Sequence, residues 1–181
     1  MVDQKPKIPE AVLLENRAVI QKGFDELVAR SYGKQEGKRL ELSLVESLYL
    51  LEKGKIKVKK GAKNLAFKGL MEFALKLDKR IHERFTVYRD LRNRGLVVKT
   101  GFKFGSDFRV YERGVVVKRG PKAPGEHTKW VVYCVPEDYI CSFQELSRAV
   151  RLAHSIRATM LWAIVDNDND ITYYEINRQL L

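Results

Sequence analysis

KWVVYCVPEDYICSFQELSRAVRLAHSIRATMLWAIVDNDNDITYYEI runs from Lys129 to Ile176 and carries the plainest secondary-structure signals in the chain. KWVVYCV is a short, strongly apolar run rich in β-branched and aromatic residues, so it reads as a strand buried on both faces. Pro136, Glu137 and Asp138 end it. Ser142 and Glu145 stand at the spacing of a capping box. They open SFQELSRAVRLAHSIRAT, which reads as a helix with Phe143, Leu146, Val150 and Ala153 on its buried face. MLWAIV, the polar turn DNDND and ITYYEI then form a hairpin. Strand, helix and hairpin in succession point to an α+β sheet packed with helices.

Upstream, LVVKT and DFRVYE read as strands, with VVVK (115–118) a third. The segment from Gly114 to His127 reads as a loop rich in Gly, Pro and Lys. Residues 65–94 have helical period, with Phe85, Tyr88 and Leu91 as an apolar stripe and Gly95 as the stop. The period breaks near Asp78 to Ile81, and we expect a domain boundary there, giving domains 1–80 and 81–181. In the first of these, AVLLENRAVIQKG reads as a hairpin and FDELVARSYG as a short helix ending at Gly33. Ser43 and Glu46 form a second capping box ahead of SLVESLYLLEKG, where Leu44, Leu48 and Leu51 recur at helical spacing and Gly54 ends the helix. KIKVKK alternates as an exposed strand does. The fold class expected is α+β, in two small mixed α/β domains.

Composition narrows the function. The 181 residues carry a formal net charge of +11 and are 45% hydrophobic. That charge fits a partner rich in phosphate, because each neutralised phosphate releases counterions. A membrane surface is a weaker fit, since there is no cationic amphipathic terminal helix. No run approaches the ~18 to 20 apolar residues of a membrane span. The opening MVDQKPKIPE has no signal-peptide core, so a cytoplasmic location is expected. Cys134 and Cys141 make neither a disulfide framework nor a zinc pattern with the three histidines, and Cys134 reads as a small core residue.

The ordered blocks VYRDLRNRGLVVKTG, DFRVYERG, GEHTKW, VPED, RAVRLAHSIRAT and AIVDNDNDITYY resemble the archaeal tRNA-splicing endonucleases, also called tRNA-intron lyases. Looser likeness extends through SYG and LELSLVESLYLLEKGKIKV. The resemblance implies a nuclease-like mixed sheet in the C-terminal domain. It implies a Tyr, a His and a Lys that cleave RNA with neither metal nor cofactor. The Tyr falls on Tyr111 and the His on His127. The Lys follows a His-Ser-(Ile/Val)-Arg run, so its place here is held by Ala158. Such chemistry uses the RNA's own 2′-hydroxyl as nucleophile. The Tyr serves as base, the His as acid for the departing 5′ oxygen, and the Lys as a cation for the phosphorane. An ordinary tyrosine, with a pKa near 10, is a poor base unless a cation favours the phenolate. Alanine removes both effects of the Lys, with an expected loss of roughly 10²- to 10³-fold. The alanine is either a deliberate replacement or a natural loss.

Taken singly, these residues also have plain structural readings. Tyr111 is a packing tyrosine in an alternating strand, His127 a surface residue in a loop, and DNDND a polar hairpin turn. The helix is read as running through Thr159, so His154 and Ala158 share one face, while the neighbour Arg157 points about 100° away. Lys118, Arg119 and Lys122 in the long loop, with Arg151 and His154 on the helix, are candidate RNA contacts. The resemblance further implies precursor tRNA with a bulge-helix-bulge as substrate. It implies a homotetramer built as a dimer of dimers, or an α2β2 assembly with a structural chain. The β-prone tail ITYYEINRQLL and the acidic segments Glu137-Asp138 and Asp166 to Asp170 fit assembly. Two other readings stand beside it. One is a non-catalytic RNA-binding subunit of the same complex. The other is a winged-helix DNA-binding protein, in which FTVYRDLRNRGLVVKTG and FRVYERG supply a recognition helix and a two-stranded wing.

Overall fold

The computed structural model describes residues 8–101, 105–117, 123 and 125–179. The chain divides into two compact units, Met1–Ile81 and His82–Leu181.

In the first unit, β1 (Glu10–Leu13) and β2 (Arg17–Ile20) form the expected hairpin, closed by the Leu14 N–H donating to the Arg17 carbonyl at 2.8 Å. Helix α1 (Asp25–Ala29) stops four residues before Gly33. Ser31 takes the left-handed position at φ 59°, and the Tyr32 N–H reaches back to the Leu27 carbonyl at 2.8 Å. Gly33 is itself left-handed at φ 61°, and a Cβ there would lie 2.6 Å from the Glu41 carbonyl oxygen. Strands β3 (Lys34–Glu36) and β4 (Arg39–Ser43) lead into α2 (Leu44–Glu52), whose capping box is formed as the spacing predicts. Buried Glu46 is fully used: Oε2 accepts from the Ser43 N–H at 2.9 Å and Oε1 from the Gly33 N–H at 2.8 Å. β5 (Lys57–Lys60), β6 (Lys63–Leu65) and α3 (Phe67–Leu77) complete the unit. The sheet order is β3-β4-β2-β1-β5-β6, with β1 and β5 parallel.

In the second unit, α4 (Ile81–Asn93) precedes β7 (Val97–Thr100), β8 (Phe108–Tyr111), β9 (Trp130–Pro136), α5 (Phe143–Ser155), β10 (Thr159–Val165) and β11 (Ile171–Ile176). The sheet order is β11-β10-β9-β8-β7. β9 and β10 are parallel, joined by α5, and the other neighbours are antiparallel, so the sheet is mixed as expected. Val131, Val135, Met160 and Trp162 pack with Ala149 and Ala153 of α5, while Tyr88 of α4 packs on Phe108 with ring centroids 5.6 Å apart. Cys134 is fully buried. β7 and β8 are not a two-stranded wing, because β8 continues the ladder into β9. VVVK forms no strand over residues 115–117, and Lys118 lies outside the described residues. No helix among the described residues is long and apolar enough to cross a membrane.

Candidate active site

Three strands bring the sequence-picked positions to one end of the second sheet. β8 ends at Tyr111. Next to it, the Lys129 N–H donates to the Val110 carbonyl at 2.9 Å. On the other side of β9, the Thr159 N–H donates to the Lys129 carbonyl, also at 2.9 Å. Trp130 therefore sits between Val110 and Thr159 in register. Tyr111 and Ala158 flank the start of β9 from its two sides, about 10 Å apart at two strand spacings. His127 lies two residues ahead of Lys129 on the segment that enters β9.

The environments of the three positions differ. Phe108 and Val110 share the sheet face that meets Tyr88, so by alternation Tyr111 belongs to the face that carries α5. Tyr111 is 0% exposed, whereas His127 is exposed. Ala158 is half-buried and packs against the cluster of Val131, Ala153 and Met160. Sequence reasoning did not single out Lys129. Its ammonium pairs with Glu112, the residue after Tyr111, and stands 4.3 Å from the Trp130 ring centroid. The signal available was its place two residues after His127, but only strand pairing reveals that Glu112 is opposite.

One expectation is overturned. Helix α5 ends at Ser155, not at Thr159. Ile156 caps it and Arg157 takes the left-handed conformation at φ 56°. The Ala158 N–H bonds to the Ala153 carbonyl at 2.9 Å and the Arg157 N–H to the His154 carbonyl at 3.0 Å. This is a Schellman turn, which satisfies the last carbonyls and stops the helix. Ala158 thus lies past the helix and leads directly into β10. It shares no helical face with His154, and the 100° argument about Arg157 does not apply. Arg157 is an exposed residue in a conformation that favours glycine. Arg151 and His154 are both exposed on the last turns of α5. Lys118, Arg119 and Lys122 lie outside the described residues.

The acidic segments lie elsewhere in the same unit. In the 166–170 turn, Asp166 Oδ1 accepts from the N–H groups of Asp168 at 3.0 Å and Asp170 at 2.9 Å, as its composition predicts for a polar turn. Asn167 donates to Glu137. Glu83, Glu137, Asp138 and Asp166 line one cleft of about 500 Å³ together with His82. No group of three or more His, Cys, Asp or Glu among the described residues is arranged to hold a metal ion. Asp90 of α4 accepts from the Tyr173 hydroxyl at 2.8 Å and from Arg94 at 2.7 Å. Burial, and then that bond to Asp90, raise the Tyr173 phenol above its ordinary range.

Comparison with known proteins identifies the family. The catalytic C-terminal domain of tRNA intron endonuclease matches residues 81–173, and the N-terminal domain of tRNA intron endonuclease matches residues 10–71. The tRNA-splicing endonuclease of Thermococcus onnurineus is 43% identical over 157 residues, 86% of each chain. That of Pyrococcus furiosus is 42% identical over 149 residues, 82% of each chain. That of Methanococcus vannielii is 40% identical over 179 residues, 97% of each chain. Both domain matches fall on one chain and the relatives span most of its length, so the chain belongs to the tRNA intron endonuclease family.

Proposed function

We propose that this chain binds precursor tRNA at bulge-helix-bulge sites and carries the metal-independent cleavage apparatus for excising the intron, with one catalytic side chain missing at Ala158. The observation that carries the reading is the hydrogen-bonded path Val110–Lys129–Thr159, which sets Tyr111, the His127 segment and position 158 at one sheet end. In the reaction, Tyr111 takes the proton of the 2′-hydroxyl. The 2′ oxygen attacks phosphorus as the P–O5′ bond breaks, and His127 gives a proton to the departing 5′ oxygen. The products are a 2′,3′-cyclic phosphate and a 5′-hydroxyl. Tyr111 is buried, so the reading requires its phenol to be uncovered as substrate enters. A Lys at 158 would add the cation that stabilises the phosphorane. Arg151, His154 and the loop residues Lys118, Arg119 and Lys122 are assigned to RNA contact. The domains run 1–80 and 81–181.

Two cuts at fixed spacing call for at least two sites, and a homotetramer supplies them. β11 is an edge strand, and Ile140 and Phe143 are 91% and 90% exposed, Phe143 thus lying outside the buried face of α5 on which its spacing had placed it; both the edge and this apolar pair are surfaces that another copy would bury. An α2β2 assembly with a structural chain is the other form.

The test is cleavage of an end-labelled bulge-helix-bulge RNA in EDTA by this chain and by its Ala158→Lys form. The expected result is cutting inside the bulges by the Ala158→Lys form, at least 10²-fold faster than by the parent, with cyclic phosphate ends. If neither form cuts, though both fold and assemble, a purely RNA-binding subunit becomes the account.

A further inference from the structure

A corner of the first unit carries charge that the reaction does not use. Seven lysines and no acid lie between Glu52 and Glu72. They occupy the turn after α2, the β5–β6 hairpin and the first turn of α3, and β6 is an edge of its sheet. Three are engaged locally. Lys53 stands 5.5 Å from the Tyr49 ring centroid, Lys60 stands 4.2 Å from that of Phe73, and Lys59 pairs with Glu10 at 2.6 Å. The remaining four, Lys55, Lys57, Lys63 and Lys68, are exposed, and none has a carboxylate within ion-pair distance among the described residues.

Two of these placements work against the fold's own electrostatics. Lys60 and Lys63 are direct cross-strand partners around Gly61 and Ala62, and like charges placed so are destabilising. Lys68 lies in the first turn of α3, where the helix dipole disfavours a cation. The core here needs only Ile56 and Val58, both almost fully buried. Lys57 and Lys59 share one face of β5, about 6.7 Å apart, which is comparable with the separation of successive phosphates on a nucleic-acid strand. An anionic partner would offset both unfavourable placements.

We infer that this lysine corner is a second RNA-binding surface, one that takes the phosphate backbone of a double-helical part of the precursor; it rests on the RNA-processing reading above. Recognition here is by charge and A-form shape, without base readout.

The full-length chain is titrated with a plain 16-base-pair RNA duplex and with a precursor tRNA across a salt series. The comparison is with the quadruple variant K55Q/K57Q/K63Q/K68Q and with a control, K22Q/K38Q. The quadruple variant is expected to weaken binding of both RNAs at least tenfold at 150 mM salt. It should also make the plot of log affinity against log salt shallower by roughly three, while the control changes little. An unchanged slope overturns the inference. So does a control that loses as much per lysine as the quadruple variant, since binding would then be diffuse. So does a change in the size of the assembly without RNA, because the lysines would then serve a protein contact. Failure of the Ala158→Lys form to cut would refute the proposed cleavage alone, since the duplex titration reads the surface without it.

Discussion

Asp107 offers the sharpest test of how the second unit is held together. Its side chain is 2% exposed and sits just before β8. One oxygen accepts from Arg84 Nε of α4 at 2.6 Å, and the other accepts from the Cys134 N–H of β9 at 2.8 Å. One carboxylate thus ties a helix to a central strand. Asp107→Ala removes the carboxylate acceptor of the Cys134 N–H in the core, a cost of about 1–3 kcal/mol. The ion pair of Arg84 with this carboxylate is lost too, but the Arg84 side chain is 29% exposed and can recover water, so that part adds only about 1 kcal/mol. The net expectation is about 3 kcal/mol. Asp107→Asn should cost roughly half as much, because the amide oxygen can still serve Cys134 while its NH₂ faces the guanidinium. Both tryptophans, Trp130 and Trp162, lie in this unit, so urea unfolding followed by tryptophan fluorescence reports it without interference from the first unit. A loss below about 1 kcal/mol for Asp107→Ala, or an Asn variant as damaged as the Ala variant, would refute the bridging role.

Three further outcomes are expected. In the Ala158→Lys form, Tyr111→Phe should slow cleavage by about 10²-fold or more while leaving RNA affinity within a few-fold, as single-turnover rates and titrations would reveal. Arg157→Gly should raise stability by about 0.5–1 kcal/mol, because glycine relieves the left-handed strain at φ 56°, and a thermal melt checks this. The fold favours the neutral Tyr173 phenol, so its contribution to stability is complete below about pH 10 and is lost as pH rises beyond that. Urea midpoints measured from pH 8 to 11 should fall less steeply for Tyr173→Phe than for the parent; parallel curves would contradict the assigned environment.

Much of the architecture was legible because local signals agreed with one another. The α2 capping box, the β1–β2 hairpin and the 166–170 turn are short-range patterns whose chemistry is complete within a few residues; at α5 only half of the expected box forms, Ser142 accepting from the Glu145 N–H while the Glu145 carboxylate accepts from the Tyr139 hydroxyl instead. The end of α5 was not legible. HSIRAT has no glycine to announce the left-handed turn, and Arg157 adopts it against the usual preference. Gly33 misled in the opposite sense: it looks like the cap of α1, but it lies beyond that cap, and its own left-handed backbone and close approach to β4 are what require it. The positions proposed for catalysis were picked by resemblance, since a tyrosine in a strand and a histidine in a loop carry little information alone. Their convergence depends on the β8–β9–β10 register, which joins residues far apart in sequence and leaves no local trace.

The cap that ends α5 also explains why an alanine can stand at 158 without cost to the fold. In a Schellman turn the residue after the left-handed one commonly makes an apolar contact with the last helical turns. Ala158 bonds through its N–H to Ala153 and packs against the same cluster, so backbone and Cβ meet the local requirement by themselves. A lysine would lay its aliphatic stem on that cluster and send only the ammonium beyond it. The side chain at 158 is thus nearly irrelevant to stability, and its charge is available for chemistry at the sheet end. On the proposed function, an alanine at a position the fold does not depend on would remove turnover while leaving the surfaces proposed for RNA intact. Two chains differing only at 158 should therefore unfold within about 0.5 kcal/mol of each other, bind precursor RNA with similar affinity, and differ chiefly in cutting it.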